Sequence, residues 1–140
     1  MIKIITDFIR QWEKNNHKLY DFIKNNKQSK YDDYDKILEL LLDLVIDGDT
    51  VKINKNSISK INIGGVRGSI IFVFHEDGYE EDLPLNKIYI TCVQYGSCTS
   101  CDTILRISNR DKGLPTNQQA KDYMKLALHL LQNCKRIKDI

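Results

Sequence analysis

The sequence predicts one α+β domain over residues 1–140: two N-terminal helices, a small antiparallel β-sheet, and a long C-terminal helix packed on the sheet. Two observations carry that prediction. Apolar residues recur every three to four positions in the first third of the chain and again after Thr116, but every two positions between Val51 and Tyr95. Residues that stop or start helices stand where the period changes, Asp47-Gly48 on one side and Pro115-Thr116 on the other.

Ile5, Phe8, Ile9, Trp12, Asn16, Leu19, Tyr20 and Ile23 lie on one face of a first helix that ends near Asn25-Asn26. Asn16 is the one polar residue of that stripe. After the connection Gln28-Ser29-Lys30, a second helix follows the acidic pair Asp32-Asp33, which suits a helix N-terminus. It carries Tyr34, Ile37, Leu38, Leu41, Leu42 and Val45, and it is expected to run to a glycine cap at Gly48. Val51–Ile53 and Ile58–Ile63 read as two short strands or strand edges. Ser69 to Phe74 is so continuously β-branched and aromatic that it reads as a strand buried on both faces. Lys87 to Tyr95 alternates, with Ile88, Ile90 and Cys92 on one side and Tyr89, Thr91, Val93 and Tyr95 on the other. The Glu76-Asp77-Gly78 turn makes the last two strands a hairpin with a long acidic tip, and Leu83-Pro84 ends the pairing. Thr116 and Gln119 have the spacing of a capping box. They open a final helix whose apolar stripe runs from Ala120 through Cys134 to Ile137.

Composition narrows the function classes. At 140 residues, 41% hydrophobic and 29% charged, the chain has enough apolar residue for a core without disulfides. No apolar run approaches the roughly 20 residues of a membrane span, and the first residues lack the pattern of a secretory signal, so an intracellular setting is expected. The net charge of +2 does not call for nucleic acid. The charge is laid out in blocks, however. Tyr31–Thr50 holds seven acids against Lys36 alone, whereas Val51–His75 holds Lys52, Lys55, Lys60 and Arg67 and no acid. Such blocks are either solvated faces or steering surfaces for a partner.

The segment Tyr95-Gly-Ser-Cys98-Thr-Ser-Cys101-Asp102 stands out, and a short helix from Thr103 to Ile107 is expected after it. Its C-x-x-C admits three readings. A strand, C-x-x-C and a helix are the layout of a thioredoxin-like redox site, in which Cys98 attacks and Cys101 resolves. The strands such a fold needs downstream are missing. C-x-x-C is also half of a zinc site, but two more ligands are needed. Cys92 falls among apolar strand positions and reads as core, and Cys134 sits on an apolar helical stripe. His75 falls at the acidic tip, about 20–30 Å from Cys98 at roughly 3.3 Å per residue. The remaining candidate histidines, His17 and His129, fall on exposed faces. The preferred reading is a tight small-residue turn. The hairpin register places it beside Gly64-Gly65-Val66-Arg67-Gly68, so two loops meet at one end of the sheet. The candidate binding residues are Gly65, Arg67, Tyr95, Ser97, Cys98, Cys101 and Asp102, with Cys98 and Cys101 also the candidate metal ligands. No cofactor is expected, zinc being the one alternative. No P-loop, calcium loop, zinc-protease motif or nucleophile elbow occurs.

Tyr95, Gly96, Ser97, Cys98, Cys101 and Asp102, following a strand, resemble the Tyr-Gly-Ser-Cys-x-x-Cys-Asp string of a group of small proteins. These are uncharacterised proteins encoded by bacteriophages and some large DNA viruses. Thr99-Ser100 stands here where the group has Ser-Gly, and the likeness spans about Gly68 to Leu105. It implies a viral or phage source and brings no activity with it. Together these readings lead to the expectation of a non-enzymatic accessory protein that binds another protein, host or viral, with homo-oligomerisation left open. A thiol-dependent redox protein or a zinc-stabilised binding module is the alternative. Nucleic-acid binding would require Lys52, Lys55, Lys60 and Arg67 to line up on one face.

Overall fold

The computed structural model describes residues 5–46, 51–64, 68–79, 81–95, 103–108 and 113–140. Its order is helix α1 (Thr6–Asn25), helix α2 (Tyr34–Leu40), strands β1 (Ile53–Gly64), β2 (Gly68–Glu76) and β3 (Ile88–Tyr95), helices α3 (Thr103–Ser108) and α4 (Asn117–Gln132), and a short strand β4 (Lys135–Arg136). The strands form one antiparallel sheet in the order β1-β2-β3-β4, giving an α+β fold.

The helices grow from the expected signals with small shifts. α1 buries Phe8, Gln11, Asn15, Leu19 and Ile23, so its inner face is turned slightly from the apolar stripe. The polar residue it buries deepest is Asn15, whose Nδ2 donates to the Val45 carbonyl at 2.9 Å. Asn16 instead folds back on the Trp12 carbonyl at 2.9 Å. Asp33 caps α2, its Oδ1 accepting from the Lys36 amide at 2.8 Å. The regular α-helix ends at Leu40, earlier than expected, and Leu41–Val45 continue as a wider turn with the Ile46 amide donating to the Leu41 carbonyl at 3.0 Å. Leu41, Leu42 and Val45 are buried nonetheless. The expected Asp47-Gly48 stop lies outside the described residues. Thr116 and Gln119 form the capping box of α4.

The sheet corrects four expectations. The two short strands expected before residue 64 are one strand with an irregularity between Asn54 and Ser59. Ser57 makes this affordable, since its Oγ accepts from the His75 amide at 2.9 Å and donates to the Asn54 carbonyl at 2.6 Å, replacing lost ladder bonds. β2 is buried on one face, not two: Ile70, Phe72 and Phe74 are buried, whereas Ile71 and Val73 are half-buried. Cys92 is exposed rather than core, because the register pairs it with Ile71 on the outer face. The inward residues of β3 are Tyr89 and Thr91. Finally, the last helix stops at Gln132, and Lys135-Arg136 turn back to pair with Ile90 and Tyr89 as the fourth strand.

The core lies between the inner face of the sheet and α1, α2 and α4. Tyr89 joins them, its ring 5.2 Å from Phe8 and stacked 5.6 Å from Phe74, while the Thr91 hydroxyl donates to the Leu130 carbonyl of α4 at 2.8 Å. Each fully buried aromatic of this layer contributes about 1.5–3 kcal/mol of burial free energy.

Candidate functional site

The sheet end opposite the acidic turn is where the expected loops are anchored. Gly68 pairs with Gly64 on one side and Tyr95 on the other, so the segments that leave these strands start as neighbours. A side chain at Gly68 would run into the Ile63 carbonyl and come within 3.0 Å of the Tyr95 hydroxyl. That approach, and the left-handed φ of 115° at Gly64, explain why glycine stands at both positions. The Tyr95 hydroxyl donates to Asn62 Oδ1 at 2.7 Å and clamps β1 to β3 across β2. Gly65, Arg67, Ser97, Cys98, Cys101 and Asp102 lie outside the described residues; Tyr95 is the member of the candidate set whose place is seen.

Next to Tyr95 lies a cleft of about 280 Å³ lined by Asp32, Asp33, Tyr34, Asn62, Ile70, Tyr95, Ile104 and Leu105. Its floor is apolar. Ile70 and Ile104 are buried, Leu105 is 40% exposed at the mouth, and the Tyr34 hydroxyl accepts from the Ile104 amide at 3.5 Å, tying α3 to the start of α2. Asp32 and Asp33 form the rim. Lys36 Nζ lies 3.1 Å from Asp32 Oδ1 and 3.9 Å from Asp33 Oδ2, so both carboxylates already face a cation. The hydrogen bond that the Lys36 ammonium donates to Asp32 raises its pKa, which favours the charged form. Nothing in the motif pattern linked Asp32-Asp33 to this end of the sheet; their place at the start of α2 was legible, their proximity to Tyr95 was not.

The chemistry available elsewhere is structural. The buried Cys134 thiol donates to the Leu130 carbonyl at 3.4 Å, and burial pushes its pKa up to about 12, away from thiolate reactivity. Burial likewise pushes the Tyr31 phenol up to about 12, and raises those of Tyr89 and Tyr123 further. Tyr89 donates to Glu76 at 2.6 Å, Tyr31 to the Ile23 carbonyl at 2.7 Å, and Tyr123 to Gln28 Oε1 at 3.0 Å. Cys92, Gln94, Thr103 and His129 help to line an open groove running along β3. Among the described residues no three His, Cys, Asp or Glu side chains gather as a metal site, and no helix is long and apolar enough to cross a membrane.

The charge blocks turn out to face each other. Lys55 pairs with Asp43, Lys60 with Asp35 at 3.0 Å, and Lys52 lies 3.9 Å from Asp77. Lys55 and Lys60 of β1 thus sit against the acidic stretch of α2 and the turn after it, and Lys52, just before β1, against the acidic turn that follows β2. At these exposures each pair is worth less than about 1 kcal/mol, but together they take up the charge that a partner would otherwise read.

Compared with known proteins, the chain matches no protein-family model, no curated protein and no solved structure. The class is therefore the one its own architecture defines, an α+β domain with helices over one face of a four-stranded antiparallel sheet.

Proposed function

We propose that the protein acts by binding another protein, and that the binding site is the Tyr95 end of the sheet. The observation that carries this reading is the cleft itself: an apolar floor of Ile70 and Ile104 with Leu105 at the mouth, beside a Tyr95–Asn62 polar pair, with rim carboxylates already answered by Lys36. A floor of this kind accepts an apolar side chain of a partner, and its polar groups orient that side chain. The loops that carry Arg67 and the C-x-x-C leave from the same end, and loops on a rigid scaffold are where recognition residues gather. The Tyr-Gly-Ser-Cys-x-x-Cys-Asp string supports a viral or phage source, hence an accessory role toward a host or viral protein. The lysines in and just before β1 favour a protein partner over nucleic acid, since Lys52, Lys55 and Lys60 each lie beside an aspartate.

A photo-crosslinking residue at Leu105, at the cleft mouth, is expected to trap a discrete partner in cells of the source. The same residue at Leu114, which is 61% exposed, is the control and is expected to trap none. Tyr95→Ala, Arg67→Ala and Asp102→Ala should each reduce the adduct several-fold. An adduct equal at both positions, or indifferent to all three substitutions, removes the cleft as the binding site. Disulfide reduction above the background of free thiol would instead move the protein to the redox class.

A further inference from the structure

β2 is apolar at every position from Ile70 to Phe74, yet the core of this chain takes in only Ile70, Phe72 and Phe74. The other face is built from Ile61, Ile63, Ile71, Val73, Ile90 and Cys92, set side by side across three strands. Ile61 and Ile63 are 52% and 54% exposed, and none of the six belongs to the core or packs on it. We infer that this face is the contact surface for a second copy of the chain, stacked sheet on sheet about a two-fold axis. The inference is independent of the Tyr95 cleft, which opens on the other side of the sheet.

Charge is the first argument for a second copy. Across β1, β2 and β3 the rows centred on Val73, Ile71 and Ser69 hold no Asp, Glu, Lys or Arg, in a chain that is 29% charged; Lys135 of β4, paired with Ile90, stands at the margin of the first row. In a two-fold contact each patch meets itself, so a charged patch would repel its copy and a neutral one does not. A foreign partner is usually selected by complementary charge, and this patch offers none to read. Geometry is the second argument. Branched side chains at alternate positions of a twisted sheet interdigitate with those of another sheet about 10 Å away. Association through the open edge of β1 is the competing mode, and β1 is protected there by its irregularity at Asn54–Ser59 and by Lys55 and Lys60.

Area gives the size class of the contact. Three strands about 4.8 Å apart and about seven residues long give a footprint of roughly 300–350 Å² in plan. Stable complexes bury about 800 Å² per partner, and weak ones less than about 600 Å². The dimer is accordingly a reversible one that forms as concentration rises.

Sedimentation equilibrium of the full chain under reducing conditions tests this over about 1–200 µM, which spans micromolar dissociation constants. The average mass should rise from one chain of 16.3 kDa toward two. The variant carrying Ile61→Lys and Ile63→Lys should stay single throughout, as should the one carrying Ile61→Glu and Ile63→Glu. Mixing the two should restore the dimer, which a folding defect in either could not do. In parallel, peptide-resolved alkylation of exposed Cys92 should slow at least threefold between the lowest and highest concentrations. A single-chain mass at every concentration overturns the inference, as does a dimer indifferent to the lysine pair. A chain that stays single but loses a different protein on the same substitutions assigns the face to that protein and overturns the second copy.

Discussion

The inner and outer faces of the sheet are made by alternate residues of the same strands, yet they are treated differently by the rest of the chain. Phe72, Phe74, Tyr89 and Thr91 point inward and are fully or almost fully buried, with Tyr89 and Thr91 making specific hydrogen bonds. Ile71, Val73, Ile90 and Cys92, one position along, stay half-buried or exposed and pack on no part of the core. Both sets are apolar enough for a core. What separates them is whether another element has been brought to cover them, so hydrophobicity alone does not say which face a fold will use. The difference also separates residues that hold the monomer together from residues available for association.

The largest expected effect follows from this contrast. Phe74→Ala removes a ring that is 0% exposed and stacked on Tyr89, and should cost about 3–5 kcal/mol. Ile61→Ala on the outer face should change stability by no more than about 0.5 kcal/mol in the single chain. Urea unfolding at low protein concentration measures both, and equal losses would mean that the outer face is covered within the chain.

Alkaline pH gives a second way to separate the faces. The phenols of Tyr31, Tyr89 and Tyr123 have folded pKa values raised by burial, that of Tyr31 to about 12, and the hydrogen bond to Glu76 adds to the rise at Tyr89. A raised pKa means that the folded state favours the protonated form. Their contribution is therefore complete below about pH 10, the unfolded value, and is lost as pH climbs toward the folded values. The urea midpoint should hold between about pH 8 and 9.5 and fall by pH 11, and Tyr89→Phe should make that fall shallower. Lys36 acts in the same direction at the rim of the cleft, but it is exposed and its share is small. A midpoint that falls equally in Tyr89→Phe would move the alkaline sensitivity away from the Phe8–Phe74–Tyr89 layer.

Local signals made most of the elements legible. The capping box at Thr116, the helix start after Asp32-Asp33, the Gly78 turn and the two-residue alternation of β3 are each readable within a few residues, and each is found where it was expected. The failures share one cause, which is that the deciding contact is distant in sequence. Alternation in β3 shows that Tyr89 and Cys92 face opposite ways, but α1 and α4 decide which of them is inside. Asn15 rather than Asn16 is buried because its partner is the carbonyl of Val45, thirty residues on. The cleft was half legible. Tyr95 and the glycines Gly64 and Gly68 follow from the hairpin register, whereas Asp32, Tyr34 and Ile104 reach it through the packing of α2 and α3.

The smallest expected effect tests the contrast with one chemical exchange made on each face. Thr91 is 1% exposed, and its hydroxyl donates to the Leu130 carbonyl at 2.8 Å, joining β3 to the last full turn of α4. Thr91→Val keeps the shape and removes the donor, which should cost about 1 kcal/mol as the carbonyl loses one of its partners. Val73 stands on the outer face one strand away, half-buried beside Ile90 and Ser59. There Val73→Thr puts a hydroxyl where water already reaches, and stability of the single chain should move by less than about 0.5 kcal/mol. The same exchange should nonetheless weaken the concentration-dependent dimer, since a hydroxyl buried between two stacked sheets would lack a fixed partner. Stability and association would then separate by face, Thr91→Val lowering the urea midpoint without altering the sedimentation mass and Val73→Thr doing the reverse. If instead both substitutions lower the midpoint and neither touches the mass, the outer face is a second structural surface of the monomer, and the distinction between the two faces fails.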